Sequence, residues 1–343
     1  MPSPKEVKDV LHVLDLLTTA GPEALPPKKA QPAFQLRRII GSRNVVAVGV
    51  GEKITKKKGT GALALRFYVR RKISLNKLKA SDAIPPAVHP DLTRDKDAVR
   101  TDVIVLGTLR LDAKKAKTET KNKTKTKAIR PGDSLANIKV TAGTFGALVQ
   151  SGSTIQVLSN SHVLARGGKA KKGEAILAPS PDDGGKSPAD VVARLSRVKK
   201  FKTGGSFVNR ADCALATPTA ARLSDFRSEI PKVGVPRGTI APKIGMKIVK
   251  VGRTTGKTFG VIHDVHFRFA FTYEGVGRVG FRDQVLCTRY SAPGDSGSLV
   301  LDRKSKRAVG LHFASAPQGS VFSPIDAVLE ALGSPSLVTK SIP

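Results

Sequence analysis

From Pro131-Gly132 onward the chain breaks into short apolar runs separated by glycine-rich turns. The runs are Thr144 to Gln150, Thr154 to Leu158, Asp190 to Leu195, Lys247 to Val251, Gly260 to His266, Gln284 to Thr288, Gly297 to Leu301 and Ala308 to Phe313. Stretches this short, rich in Val, Ile and Leu and bounded by turn residues, form strands rather than helices. So many of them at close spacing argue for β-barrels or a sandwich. Only Asp326 to Leu332 has a helical pattern, closed by Gly333.

The part before Pro131 is organised differently. Val7, Val10, Leu11, Leu14 and Leu17 lie on one face of a helix that Gly21-Pro22 and Pro26-Pro27 end. Strand patterns follow at residues 45–50, 62–69 and 103–107, the first two joined by a basic hairpin tip around Lys53 to Gly59. Between Asp112 and Arg130 the chain is Lys/Thr-rich and lacks large apolar side chains, so it cannot bury a core and reads as a linker. With 343 residues and 40% apolar content, two domains with real cores are expected. The division read from the pattern is a helix and irregular segment over 1–35, a small α+β domain over 36–110, a linker over 111–132 and a β domain over 133–343.

Within the β domain, Ser291-Ala292-Pro293-Gly294-Asp295-Ser296-Gly297-Ser298 sits between apolar stretches. A serine hydroxyl attacks a carbonyl only when a base takes its proton and N–H donors stabilise the oxyanion, and glycines let a turn aim amides at one point. The backbone amides of Gly294 and Ser296 are the candidate donors. A candidate base, His162, lies in Leu158-Ser159-Asn160-Ser161-His162-Val163, and a candidate orienting carboxylate, Asp212, in Ala211-Asp212-Cys213-Ala214-Leu215. Four other histidines, His12, His89, His263 and His266, sit in no such motif.

Three motifs in the order His, Asp, Ser, 50 and then 84 residues apart, make the stretch from about Ile138 to Leu332 resemble a trypsin-like, chymotrypsin-fold serine peptidase of bacterial type. The resemblance implies two six-stranded barrels with the site between them. It makes His162 general base and acid, Asp212 its orienting partner and Ser296 the nucleophile, with no cofactor and no metal. It also places Tyr290, His312, Phe313 and Ala314 around the substrate pocket, the strand from Gly310 to Ser315 being the one that pairs with substrate backbone. Tyr290 at the pocket base argues against an Arg or Lys preference. His312 is similar to the histidine of glutamine- and glutamate-selective relatives, the alternative being a packed histidine beside a small-to-medium apolar pocket. Two supports of the family's site are missing from the motifs. Phe313 replaces the serine that helps hold the triad aspartate, and Asp295 has no evident partner, because Arg38-Ile39-Ile40-Gly41 lies too far upstream to serve as an activation site. The strands after Asn44 resemble a small module found ahead of trypsin-like domains in bacterial proteins.

Composition narrows the classes further. There are 59 Lys and Arg against 27 Asp and Glu, a net charge of +32, spread over both halves: 29 against 12 up to residue 130, and 30 against 15 beyond. Such a field attracts polyanions at low salt, so weak non-specific nucleic-acid binding is expected; no specific nucleic-acid motif is present. No stretch approaches about 20 apolar residues, and Glu6, Asp9 and Asp15 interrupt what would be a signal sequence, so a cytoplasmic protein without membrane partners is expected. Cys213 and Cys287 are too few for a disulfide framework. Lys250 to Gly260 alternates Gly, Lys and Thr but lacks phosphate-loop spacing and reads as a hairpin rim. The leading expectation is a serine endopeptidase acting on protein or peptide. The rival is a catalytically weak trypsin-like scaffold that binds nucleic acid or a partner through its basic surface.

Overall fold

A computed structural model describes residues 3–18, 36–55, 58–88, 98–111 and 128–341. The prolines and glycines expected to end the first helix, His89 and the Lys/Thr-rich stretch 112–127 lie outside the described residues.

The β domain builds two strand systems. One is a seven-stranded sheet in the order Ser336–Leu337, Ala147–Ser151, Thr154–Ser159, Ala214–Pro218, Val191–Val198, Ala175–Leu177, Ala136–Asn137. In the other, Gly256–Tyr273 pairs with both Lys247–Gly252 and Gly277–Cys287. Through Leu299–Asp302, Ala308–Ala316 and Gly319–Pro324 the pairing returns to Gly277–Cys287, closing a ring of six strands. Together they form a mainly β, chymotrypsin-like double barrel. The short helix Ile325–Ala331 closes the second barrel and packs Ile325 and Val328 into a core shared by both halves.

The N-terminal strands join the same hydrogen-bonded sheet. Val45–Thr55 forms a hairpin with Lys58–Val69, and its Ala47 and Val48 pair with Phe269 and Arg268 of the long strand Gly256–Tyr273. That 18-residue strand carries register shifts between Ile262 and Phe269, so one edge serves the barrel first and the N-terminal hairpin afterwards. Val99–Val105 extends the sheet by parallel pairing with Lys58–Val69. The helix Pro4–Thr18 covers this extension with Val10, Val13, Leu14 and Leu17, which are buried against Val48, Leu65 and Phe67. Ile39, in the sequence that mimics an activation site, is buried in that same cluster.

Most cores are aliphatic, as the lack of tryptophan requires. One is not. Where the N-terminal hairpin meets the second barrel, alternation in the long strand turns Phe267, Phe269 and Tyr273 into a common cluster with Tyr68, Phe281 and Phe313. Ring centroids lie 5.5 Å apart for Phe269 and Phe281 and 5.9 Å for Phe269 and Phe313. Each buried phenylalanine stabilises the fold by about 1.5–3 kcal/mol.

Candidate active site

His162 stands on a single helical turn, Ser161–Leu164, directly after strand Thr154–Ser159. Asp212 lies two residues ahead of strand Ala214–Pro218, whose Ala214 pairs with Ser159. That register brings residues 50 apart in sequence together: Nδ1 of His162 is 2.6 Å from Oδ2 of Asp212. The backbone amides of Ser161 and His162 donate to the other carboxylate oxygen at 2.7 and 3.3 Å. Asn160 holds the backbone from the far side, its side-chain amide donating to the Asp212 carbonyl at 2.8 Å. The support that Phe313 cannot give comes from Tyr273, whose hydroxyl donates to Asp212 Oδ2 at 2.6 Å. Burial first, and then the neighbouring carboxylate, push the Tyr273 phenol well above its ordinary range, so it remains a donor.

The turn carrying Ser296 is closed by Asp295 N–H donating to the Ala292 carbonyl at 3.0 Å. Proline at its second position and Gly294 at φ 101° at its third meet the demands of a tight turn with one left-handed residue. A Cβ on Gly297, at φ 95°, would lie 2.0 Å from Ser159 Oγ, so the turn is pressed against the strand that leads to His162. The amides of Gly294 and Ser296 donate to no partner among the described residues.

Asp295, without a partner in the sequence reading, is fully buried and saturated. Lys250 Nζ lies 2.9 Å from its Oδ2 and the Thr255 hydroxyl donates at 2.7 Å. The amides of Ala292, Thr254 and Thr255 donate at 3.0, 2.9 and 3.1 Å. The Gly/Lys/Thr-rich stretch is the hairpin turn expected of it, and that turn is the socket for Asp295: a Cβ on Gly252 would lie 2.5 Å from Asp295 Oδ1. Arg253 beside it is held by Asp183 in a paired contact of 2.7 and 2.6 Å. Burial opposes charge on Asp183, but the Arg253 guanidinium keeps its carboxyl below the ordinary range.

The two atoms that a peptidase would couple are not hydrogen-bonded to one another. The Ser296 hydroxyl donates to the Phe313 carbonyl at 3.3 Å, and Nε2 of His162 is buried without a partner.

Of the residues expected around a substrate pocket, Tyr290 and His312 are both buried, with the Tyr290 hydroxyl 3.5 Å from His312 Nδ1. Tyr290 packs among Ile248, Val300, Val309 and Phe322, and Lys250 Nζ lies 5.6 Å from its ring centre. Phe313 and Ala314 sit in the aromatic cluster. Cys213 is buried toward Val328, away from His162, with its thiol raised by burial.

Sequence reasoning did not find Tyr273 or Lys250, although each left a trace. Tyr273 ends a period-two aromatic run, Phe267, Phe269, Phe271, and Lys250 is a lone charge inside the apolar strand Ile248 to Val251. An ionised side chain within a buried strand implies a buried counter-charge. Which counter-charge is a tertiary question.

No protein-family model and no curated protein matches the sequence. Among solved structures, the chain is similar in fold to a glutamic-acid-specific serine protease (17% identity, TM-score 0.43, 61% of this chain and 100% of that one). Protease A of Thermobifida fusca gives 18%, 0.43, 62% and 100%, and the chymotrypsin of Cellulomonas bogoriensis 17%, 0.41, 62% and 100%.

Proposed function

We propose that the chain is a serine endopeptidase that cleaves peptide bonds through an acyl-enzyme on Ser296. The observation that carries this reading is the buried Asp212–His162 pair beside a turn whose Gly294 and Ser296 amides are both unoccupied. In the proposed cycle the Ser296 hydroxyl turns from Phe313 to His162 Nε2, gives up its proton and attacks the substrate carbonyl. The carbonyl oxygen, now negative, is held by the two amides. Asp212 keeps the His162 proton on Nδ1 and stabilises the imidazolium that forms, which then protonates the leaving amine. Water hydrolyses the acyl-enzyme by the same steps in reverse roles.

Replacing Ser296 by Ala is expected to abolish peptide hydrolysis and fluorophosphonate labelling while the thermal unfolding midpoint is kept. Labelling that persists in S296A overturns the assignment. We further propose that the buried Tyr290 and His312 shape the substrate pocket, giving either cleavage after small-to-medium apolar residues or, if His312 donates a hydrogen bond to a side-chain carbonyl, after Gln or Glu. A peptide library cut mainly after Lys or Arg contradicts both. The charge of +32 favours a second property, weak non-specific binding of nucleic acid. It should fade steeply between low and physiological salt in a DNA-binding series. Binding without any active-site labelling would point to the scaffold reading instead. Among the described residues no helix is long and apolar enough to cross a membrane.

A further inference from the structure

One segment of the chain pairs with a strand edge directly beside Ser296. Strand Ala308–Ala316 is paired on one edge with Gly319–Pro324, from Gly310 through Ala316. Its other edge is taken by Leu299–Asp302 only as far as Leu311. Just beyond, the Phe313 carbonyl receives the Ser296 hydroxyl, and the next residues, Ala314 and Ser315, pair antiparallel with Leu111 and Arg110. Any peptide adding itself to this edge as a strand would use the positions that Arg110 and Leu111 occupy.

The segment is anchored. The amides of Leu106 and Gly107 donate to the Val69 carbonyl at 2.9 and 3.2 Å, and the Gln318 amide donates to the Leu106 carbonyl at 3.2 Å. Leu106 and Leu109 are buried in the cluster that contains Phe313 and Ala314. Gly107, at φ 84°, leaves no room for a side chain, since a Cβ would lie 2.7 Å from Pro317. Ser296 is fully buried, and His162 Nε2 is buried without a hydrogen-bond partner.

We propose that residues 106–111 are a built-in competitor for the peptide-binding edge of Ala308–Ala316, and that hydrolysis requires their displacement. The proposal rests on the protease reading above. Tethering gives the segment an effective concentration in the millimolar range or higher, so a free peptide competes poorly until the segment leaves. It also defines what replaces it: an extended peptide with an apolar side chain at the place of Leu111, against the aromatic cluster.

The test weakens the segment while leaving Ser296, His162 and Asp212 unchanged. Leu109→Ala with Leu111→Ala removes its apolar contacts, and Gly107→Val, made separately, dislodges its anchor against Pro317; near-ultraviolet circular dichroism reports folding. Two readouts are taken: the rate at which a fluorophosphonate labels Ser296 and, in the S296A background, the affinity for a fluorescein-labelled peptide with the sequence of residues 104–111. Both variants should label about 10- to 100-fold faster and bind the peptide more tightly by a similar factor. Labelling and peptide binding equal to the parent in both folded variants overturn the competitor, while the protease reading stands if the parent labels. If nothing labels but the variants gain peptide affinity, the blocked edge stands and the protease reading falls.

Discussion

Two buried aspartates flank the Ser296 junction, and they are treated in opposite ways. Asp295, in the second barrel, faces the lysine ammonium of Lys250, a threonine hydroxyl and three backbone amides. Asp212, in the first, receives two amides and the Tyr273 hydroxyl, and its remaining contact is the imidazole of His162. A carboxylate already matched by a cation has nothing further to gain from one. Asp295 is therefore a structural pin for the turn that carries Ser296. A carboxylate held by neutral donors gains most when its imidazole neighbour becomes charged, the event that proton transfer from Ser296 would create. Under the proposed function, the same residue type does structural work in one barrel and serves chemistry in the other because of its partners.

The sharpest way to break this contrast is Asp212→Asn, which leaves the shape but not the charge. It is expected to lower kcat by about four orders of magnitude with little change in unfolding midpoint. A variant of near-parental activity would show that Asp212 is only a packing group. Lys250→Met does the reverse, stranding the Asp295 charge in the core. It should cost roughly 3–5 kcal/mol of stability in denaturant titration, with loss of labelling following from the displaced turn. A stable, active K250M would mean that Asp295 needs only its hydroxyl and amide donors.

A third buried aspartate calibrates the other two. Asp264 accepts from the Tyr68 hydroxyl and the His266 amide, both at 2.8 Å. Burial pushes its pKa from 3.8 to about 6, despite the help of Tyr68 and the charge of Arg66. A raised carboxyl pKa means that the folded state holds the proton more tightly than the unfolded chain. The parent therefore loses stability as pH climbs from about 4 to about 6, while Asp264→Asn does not. The stability difference should move in favour of D264N across that window by up to roughly 3 kcal/mol, read from unfolding curves. A flat difference would show that Asp264 is already ionised at pH 4. The smallest effect is expected for Tyr273→Phe. One of several donors to Asp212 is lost, at the lower end of the 1.5–3 kcal/mol for a hydrogen bond to a charged group, so kcat should fall about tenfold. A larger fall than for D212N would make Tyr273 more than a support.

Much of the candidate site was legible because its signals are local. Gly294 and Gly297 are required by a tight turn, and His162 and Asp212 each lie at the end of a short strand whose apolar run marks it. The hairpin Val45–Thr55 with Lys58–Val69 was legible for the same reason, its two runs and basic tip lying within 25 residues. The aromatic concentration around Phe313 was not, although the period-two spacing of Phe267, Phe269 and Phe271 was visible. Alternation says that side chains share a face, not what that face meets. The N-terminal strands read as a separate module, and their own pattern gave no sign that Ala47 would pair with Phe269. A strand edge offers the same amides and carbonyls to any partner.

The sequence by itself determined that this is a strand-built protein with a serine turn, a histidine and an aspartate in the order of a trypsin-like peptidase. Short-range physics sufficed, because turn geometry and alternation are properties of a few neighbouring residues. Only the tertiary structure decided that Lys250 neutralises Asp295 across 45 residues, that Tyr273 replaces the missing serine on Asp212 across 61, and that Arg110–Leu111 lies along the edge beside Ser296. These contacts join segments whose local patterns are complete without one another, and burial makes the first two necessary.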